Sequence, residues 1–326
     1  MARYAVGVDL GGTKILSALV DDGGVVHQRH RMATPQQGPD SVVTAIAESV
    51  QSVLRASRVG HGDVVGVGVG APGPLDPLSG VVFQPPNLAG WYNVPLADLL
   101  RQRVKLPVCV ENDANAAALG EWWVGAGRGV HDLVYITVST GIGGGLIIND
   151  ALVHGVSGTA GEIGHMTIDI HGPRCVCGNT GCLEVLASGK AIARMAREAI
   201  AARRSTKVLD LAGGDAERMT AELVAAAARQ GDAVAREVFD QAGTYVGVAV
   251  ASLLNLLNPA KVVIGGGVSK AGDLLFDPVR RTARERAFER PARDADIVPS
   301  ALGDDVGVVG TAAVVFLREK AEELES

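Results

Sequence analysis

The sequence predicts an α/β protein made of two related domains, and three observations carry that expectation. Buried-strand patterns at Tyr4 to Asp9, Val64 to Gly70, Leu133 to Val138 and Lys261 to Ile264 alternate with Ala-rich helical stretches. The grammar occurs twice: strand, glycine turn and returning strand over 4–20 recur over 133–148, and each copy has a later strand that ends in glycine. Finally, 326 residues at 47% hydrophobic content suffice for roughly two domains. With only 4% aromatic residues, their cores must be built from Val, Ile, Leu and Ala.

Each element has a local cause. Gly11-Gly12 turns the first strand into a second over Ile15 to Val20, and Asp21-Asp22-Gly23-Gly24 turns the chain again. Asp40-Ser41 can cap a helix through about Ala56, and Ser188 opens another to about Arg204. Ala242 to Leu257 is apolar but interrupted by Thr244, Tyr245, Ser252 and Asn255, which predicts a buried helix rather than a membrane span. Thr311 to Glu325 reads as a C-terminal helix, and a domain boundary falls near residue 120.

Composition narrows the partners. The chain carries 36 acidic and 30 basic side chains for a net charge of −6, which offers no basic footprint to nucleic acid or an anionic membrane. Arg280, Arg281, Arg284, Arg286, Arg290 and Arg293 are interleaved with Glu285, Glu289, Asp294 and Asp296, the pattern of an ion-paired helix. Asp9 follows Met1 too closely for an apolar signal region, so the expected location is the cytoplasm. Glycine, with 42 residues, reaches roughly twice its usual share of about 7%, so many tight turns are expected.

Asp9-Leu10-Gly11-Gly12-Thr13-Lys14 sets a carboxylate at a strand end before a turn with unobstructed N–H groups. Such a turn can hold Mg²⁺ beside a polyphosphate, although the spacing alone equally fits an ordinary glycine hairpin. Thr140-Gly141-Ile142-Gly143-Gly144 is a second loop of this kind. It is not a dinucleotide fingerprint, because Leu146-Ile147-Ile148 continues as a strand where that motif needs a helix. Gly189-Lys190 is not a Walker A end, lacking the earlier glycine and being followed by Ala191.

These two hairpins and the cluster Gly265-Gly266-Gly267 resemble the actin-like ATPase and sugar-kinase superfamily. More narrowly, Glu111-Asn112-Asp113-Ala114-Asn115-Ala116, Gly161-Glu162-Ile163-Gly164-His165 and Cys175-Val176-Cys177-Gly178-Asn179-Thr180-Gly181-Cys182-Leu183-Glu184 resemble the hallmarks of the ROK family of bacterial sugar kinases and sugar-responsive repressors. The resemblance implies a two-domain actin-like (sugar kinase/Hsp70-like) fold, with mixed sheets flanked by helices and a nucleotide cleft between domains. It implies a smaller domain over 1–120, joined by a helix over 307–326, and a larger one over 121–306.

The implied activity is ATP-dependent phosphorylation of glucose at the 6-hydroxyl, with fructose, mannose or an N-acetylated amino sugar as alternatives and polyphosphate as an alternative donor. By resemblance, Asp113 is the general base, and Asn87, Asn112, Asp113, Glu162, His165 and Glu184 bind the sugar. Asp9 holds Mg²⁺, Gly11, Gly12, Thr13, Lys14, Thr140, Gly141 and Gly143 line the phosphates, and Gly266 lies toward the adenosine. Asn87 could equally be a turn residue, and Lys14 could equally face solvent. A homodimer or homotetramer is implied. The rival within the family, a noncatalytic sugar sensor, carries a helix-turn-helix domain for which a first strand at Tyr4 leaves no residues.

Cys175, Cys177 and Cys182 place three thiols within eight residues beside Gly178 and Gly181, a spacing suited to one zinc ion. The resemblance supplies His165 as the fourth ligand. Four protein ligands would close the shell, so this single zinc is expected to be structural and to orient the imidazole toward the sugar. Cys109, in an apolar run, is expected in the core.

Overall fold

The computed structural model describes residues 3–57, 59–85 and 87–325; Pro86 of the Pro85-Pro86-Asn87-Leu88 run lies outside them. The strands in chain order are β1 (Tyr4–Leu10), β2 (Lys14–Asp21), β3 (Val26–Ala33), β4 (Val64–Ala71), β5 (Leu75–Asp76), β6 (Val81–Val82), β7 (Val94–Pro95), β8 (Val108–Asn112), β9 (Leu133–Val138), β10 (Ile142–Ile148), β11 (Ala151–Leu152), β12 (Lys261–Gly265) and β13 (Asp296–Pro299). Two five-stranded sheets run in the orders β3-β2-β1-β4-β8 and β11-β10-β9-β12-β13, and a small sheet in the order β5-β6-β7. In both large sheets antiparallel hairpin strands flank a parallel trio, so the repeated sequence grammar is a repeated topology.

The chain forms two compact units. The first comprises Met1–Val130, Gly145–Gly161 and Ala301–Ser326. Its parallel trio β1-β4-β8 is in register at the carboxyl ends: Asp9 stands opposite Gly70, Gly70 opposite Glu111, and Ala71 opposite Asn112. Ligand sites of open α/β sheets form beyond such ends. At the opposite edge, β3 alternates half-buried and exposed positions and carries Arg29 and Arg31, which discourages edge-to-edge pairing.

The C-terminal helix Val306–Glu325 begins five residues before Thr311 and lies directly on this sheet. A Cβ at Gly7 would overlap the Val308 carbonyl, one at Gly68 the Thr311 carbonyl, and one at Gly310 the Ala116 carbonyl in helix Asp113–Trp123. Part of the glycine excess therefore serves close backbone packing, beyond the turns that composition suggested. On the other face, helices Pro39–Ser57 and Leu96–Val104 cover a core that includes Val6, Val8, Ile15, Ile46, Val67, Leu96 and Leu100.

The second unit comprises His131–Gly144 and Glu162–Ser300. Helix Ala233–Leu257 is buried along Val238, Phe239, Val246, Val250 and Leu254, and Gly243 and Gly247 admit Pro278 and Thr282 of helix Asp273–Arg286. No helix among the described residues is long and apolar enough to cross a membrane. Within the arginine-rich stretch Arg290 and Arg293 meet Asp294, Arg281 reaches Asp240 of the long helix at 2.7 Å, and Arg280 donates instead to the Ile297 carbonyl. Asp240 lies outside the arginine stretch.

Candidate active site and metal centre

The first unit gathers Asp9, the Gly11-Gly12 turn, Asn112 and Asp113 at the carboxyl ends of β1 and β8, with Asn87 against the turn. The turn is pinned from behind. Gly11 N–H donates to Lys14 O at 3.0 Å, Thr34 Oγ1 donates to Gly11 O at 2.6 Å, and Gln36 Nε2 donates to Gly12 O at 3.1 Å. Among the described residues no bond uses the N–H of Gly12 or Thr13, so these are the donors the turn offers an anion. A Cβ on Gly12 would stand 2.7 Å from the Asn87 carbonyl, so the Asn87 turn packs onto the glycine hairpin.

Asp9 lies on β1 two residues before the Gly11-Gly12 turn. Burial pushes its carboxyl above the usual range, with Lys14 pulling the other way. The first turn of helix Val306–Glu325 closes over it, since a Cβ on Gly307 would sit 2.9 Å from Asp9 Cγ. A helix N-terminus beside a carboxylate favours its charged form.

Asn112 caps helix Asp113–Trp123. Its Oδ1 accepts from Ala114 N at 2.9 Å and Asn115 N at 3.2 Å, which commits the oxygen and leaves Nδ2 as the donor for a ligand. Asp113 opens the helix at an exposed position, its Cα 3.6 Å from where a Cβ on Gly70 would lie.

Behind this pair stands a buried carboxylate that the motif reading passed over. Glu111 Oε1 accepts from Asn112 N at 2.9 Å and Asn115 Nδ2 at 3.1 Å, and Oε2 meets His154 Nε2 at 2.8 Å. This bond, opposed by burial, raises the His154 imidazole above its ordinary value. An acid ending the apolar run Val108-Cys109-Val110 was the available signal; its partner, 43 residues on, was not.

In the second unit, Ser139 to Gly141 forms the other loop, and Ile142 and Gly143 already begin β10. Ser139 N donates to Gly141 O at 2.8 Å, and Gly189 N donates to Ser139 O at 2.7 Å. The N–H groups of Thr140 and Gly141 enter no bond among the described residues. Gly266, at φ 87°, follows β12 so closely that a Cβ would overlap the Val138 carbonyl, which sets it beside this loop. Glu184, half-buried, accepts from Ile142 N through Oε2 at 2.9 Å, whereas Glu162 is exposed at the turn before His165.

The cysteine loop brings His165, Cys175, Cys177 and Cys182 together, with one ligand atom of each within 4.8 Å of all the others. Cys177 Sγ and Cys182 Sγ are 3.7 Å apart, as are Cys175 Sγ and His165 Nδ1. Thiolates at about 2.3 Å from a tetrahedral metal stand about 3.8 Å from one another, so the donor set fits one metal ion. The Asn179 N–H pulls the exposed Cys177 thiol down to about 7, while burial pushes Cys182 up to about 12. Nδ1 faces the sulfurs, which leaves Nε2 as the second functional atom of His165. Cys109 is buried on β8, apart from this group.

Two sheets of one topology, a glycine hairpin in each unit and a Cys₃His loop in the second are the features of the actin-like ATPase and sugar-kinase fold. The chain matches the ROK family over residues 5–317 and belongs to that family. It is 42% identical over 323 residues to a glucokinase of Halalkalibacterium halodurans, covering 98% of this chain and 97% of that protein. The crystal structure of a ROK family glucokinase from Streptomyces griseus in complex with glucose and AMPPNP is similar, with TM-score 0.84 and 39% identity over 95% of this chain and 98% of that one. A xylose repressor of Caldicellulosiruptor bescii is 33% identical over 315 residues, 95% of this chain and 77% of that protein.

Proposed function

We propose that this ROK protein is a glucokinase, transferring the γ-phosphoryl group of ATP to the 6-hydroxyl of glucose. The observation that carries this reading is the near full-length 42% identity to a glucokinase. Asp113 accepts the hydroxyl proton as the oxygen attacks phosphorus, and the bond to the bridging oxygen breaks with its electron pair leaving on ADP. General-base help of this kind contributes about 10²- to 10⁴-fold, and positioning supplies much of the rest.

Asn112 Nδ2, Asp113, Glu162, His165 Nε2 and Glu184 hold the sugar, and Asn87 joins them from the turn over Gly12. Gly12, Thr13, Thr140 and Gly141 offer N–H groups to the phosphates, Gly11 and Gly143 keep the two turns open, Lys14 adds charge, and Gly266 borders the adenosine. Asp9 holds Mg²⁺, which neutralises charge on the phosphates. His165, Cys175, Cys177 and Cys182 hold one zinc ion; with four protein ligands it supplies structure and fixes the imidazole's tautomer. The protein works in the cytoplasm as a homodimer or homotetramer, with no nucleic-acid or membrane partner.

The test is a coupled phosphorylation assay of glucose, mannose, fructose and an N-acetylated amino sugar, with ATP and with polyphosphate. Glucose with ATP is expected to show the highest kcat/KM. Absence of phosphorylation of every sugar would favour the sugar-sensing role held by repressors in the family.

A further inference from the structure

Ile142 is held on two sides by the segments of the second unit that carry the proposed hexose residues. Its N–H donates to Glu184 Oε2 at 2.9 Å, and its carbonyl rests against Gly164, where any Cβ would overlap it. The preceding Gly141 faces the same carboxylate, because an added Cβ would overlap Glu184 Oε2 and stand 3.2 Å from its Cδ. The near end of the loop is tied by Gly189 N donating to Ser139 O at 2.7 Å. Both tethers come from Leu183 to Gly189, directly after Cys182, and Leu183 N donates to Met166 O at 2.9 Å beside His165. A phosphate loop thus leans on the hexose segments through one charged acceptor. Hydrogen bonds to a charged group are stronger than neutral ones.

We propose that Glu184 is a positioning residue for the phosphate loop, and that through it hexose occupancy and nucleotide affinity are coupled. The proposal rests on the hexokinase reading above. One carboxylate oxygen holds the Ile142 N–H, and the other takes a sugar hydroxyl. A bound hexose therefore fixes the group that shapes the loop, and by reciprocity a bound nucleotide fixes the group that meets the sugar. Position 141 is glycine because this carboxylate occupies the space of a side chain.

Titration calorimetry of the full chain, with Mg·AMPPNP and glucose as the probes, tests the coupling. In the unmodified protein, saturating glucose is expected to tighten AMPPNP binding by about fivefold or more. Glu184→Ala should weaken AMPPNP binding by about tenfold even without sugar, since the loop loses a charged tether. Glu184→Gln, whose amide oxygen still accepts from Ile142, should recover most of that nucleotide affinity while glucose affinity stays reduced. A residue that only binds sugar would leave sugar-free AMPPNP affinity unchanged in Glu184→Ala, and that result overturns the proposal. Should Glu184→Ala fail to fold by circular dichroism, Gly141→Ala decides. Its methyl displaces the carboxylate, so glucose binding should weaken by about fivefold or more, and unchanged glucose affinity overturns the coupling. Failure of the underlying reading looks different: the unmodified protein then binds no hexose at all.

Discussion

At the residue scale, Asp113 and His154 show how one strand end divides its work. Asp113 is exposed at the start of its helix, where a substrate can reach it. Asp113→Asn should therefore keep glucose affinity while lowering kcat by at least about 10²-fold, because an amide keeps the shape but takes no proton. Single-turnover kinetics beside glucose titration separates the two quantities, and near-normal turnover would remove Asp113 from the base role. His154 acts one layer back, on Glu111. Its imidazole is raised in the fold by that hydrogen bond, so the stabilisation is complete below the unfolded value of about 6.5 and fades as pH rises through the higher folded value. Urea unfolding should show a larger gap between the parent protein and His154→Gln at about pH 5.5 than at about pH 8.5. A gap that grows toward alkaline pH would contradict the pairing.

At the element scale, a cap and a loop each carry two duties. Asn112 Oδ1 caps helix Asp113–Trp123, and its amide nitrogen is the assigned sugar donor. Asn112→Asp keeps the capping oxygen and loses the donor, so it should retain the melting temperature and lose glucose affinity; Asn112→Ala should lose both, with about 1 kcal/mol of stability. The cysteine loop is held by its own backbone turns, with Cys175 N donating to Asn179 O and Gly181 N to Pro173 O, both at 2.8 Å. Its sulfurs are thus brought near one another by the fold, and a bound metal would add a cross-link. Elemental analysis after dialysis should find one zinc per chain, lost in Cys177→Ser and kept in Cys109→Ser. Metal retained by Cys177→Ser would show the ligand set to be wrong.

On the scale of the whole molecule, stability depends on backbone closeness as well as apolar area. Helix Val306–Glu325 reaches the sheet and helix Asp113–Trp123 because Gly7, Gly68 and Gly310 have no Cβ to hold it away. Gly310→Ala should then cost about 1–3 kcal/mol, read as a lower melting temperature, because the methyl overlaps a carbonyl that two packed elements cannot both yield. Substituting Gly38, which has open space around its Cβ position but φ 95°, isolates the purely conformational penalty for comparison. Equal losses at both positions would argue against the packing account.

The sequence by itself determined what short-range chemistry can express. Apolar alternation named β1, β4, β9 and β12, the two glycine hairpins followed from their turns, and the spacing of Cys175, Cys177 and Cys182 announced the thiol cluster that the fold gathers with His165. Ser188 was legible as the start of a helix, and in the structure its oxygen caps that helix by accepting from Ala191 N at 3.3 Å. The tertiary structure alone decided the pairings between distant segments: Glu111 with His154, Ile142 with Glu184, and the C-terminal helix with the glycines of β1 and β4. It also placed Gly145–Gly161 with the first unit, although the strand leading into that segment starts at Ile142 in the second. The reason is physical: periodicity and turn chemistry act over a few residues, whereas a buried carboxylate finds its donor, and a helix its glycine track, only once the sheets have formed.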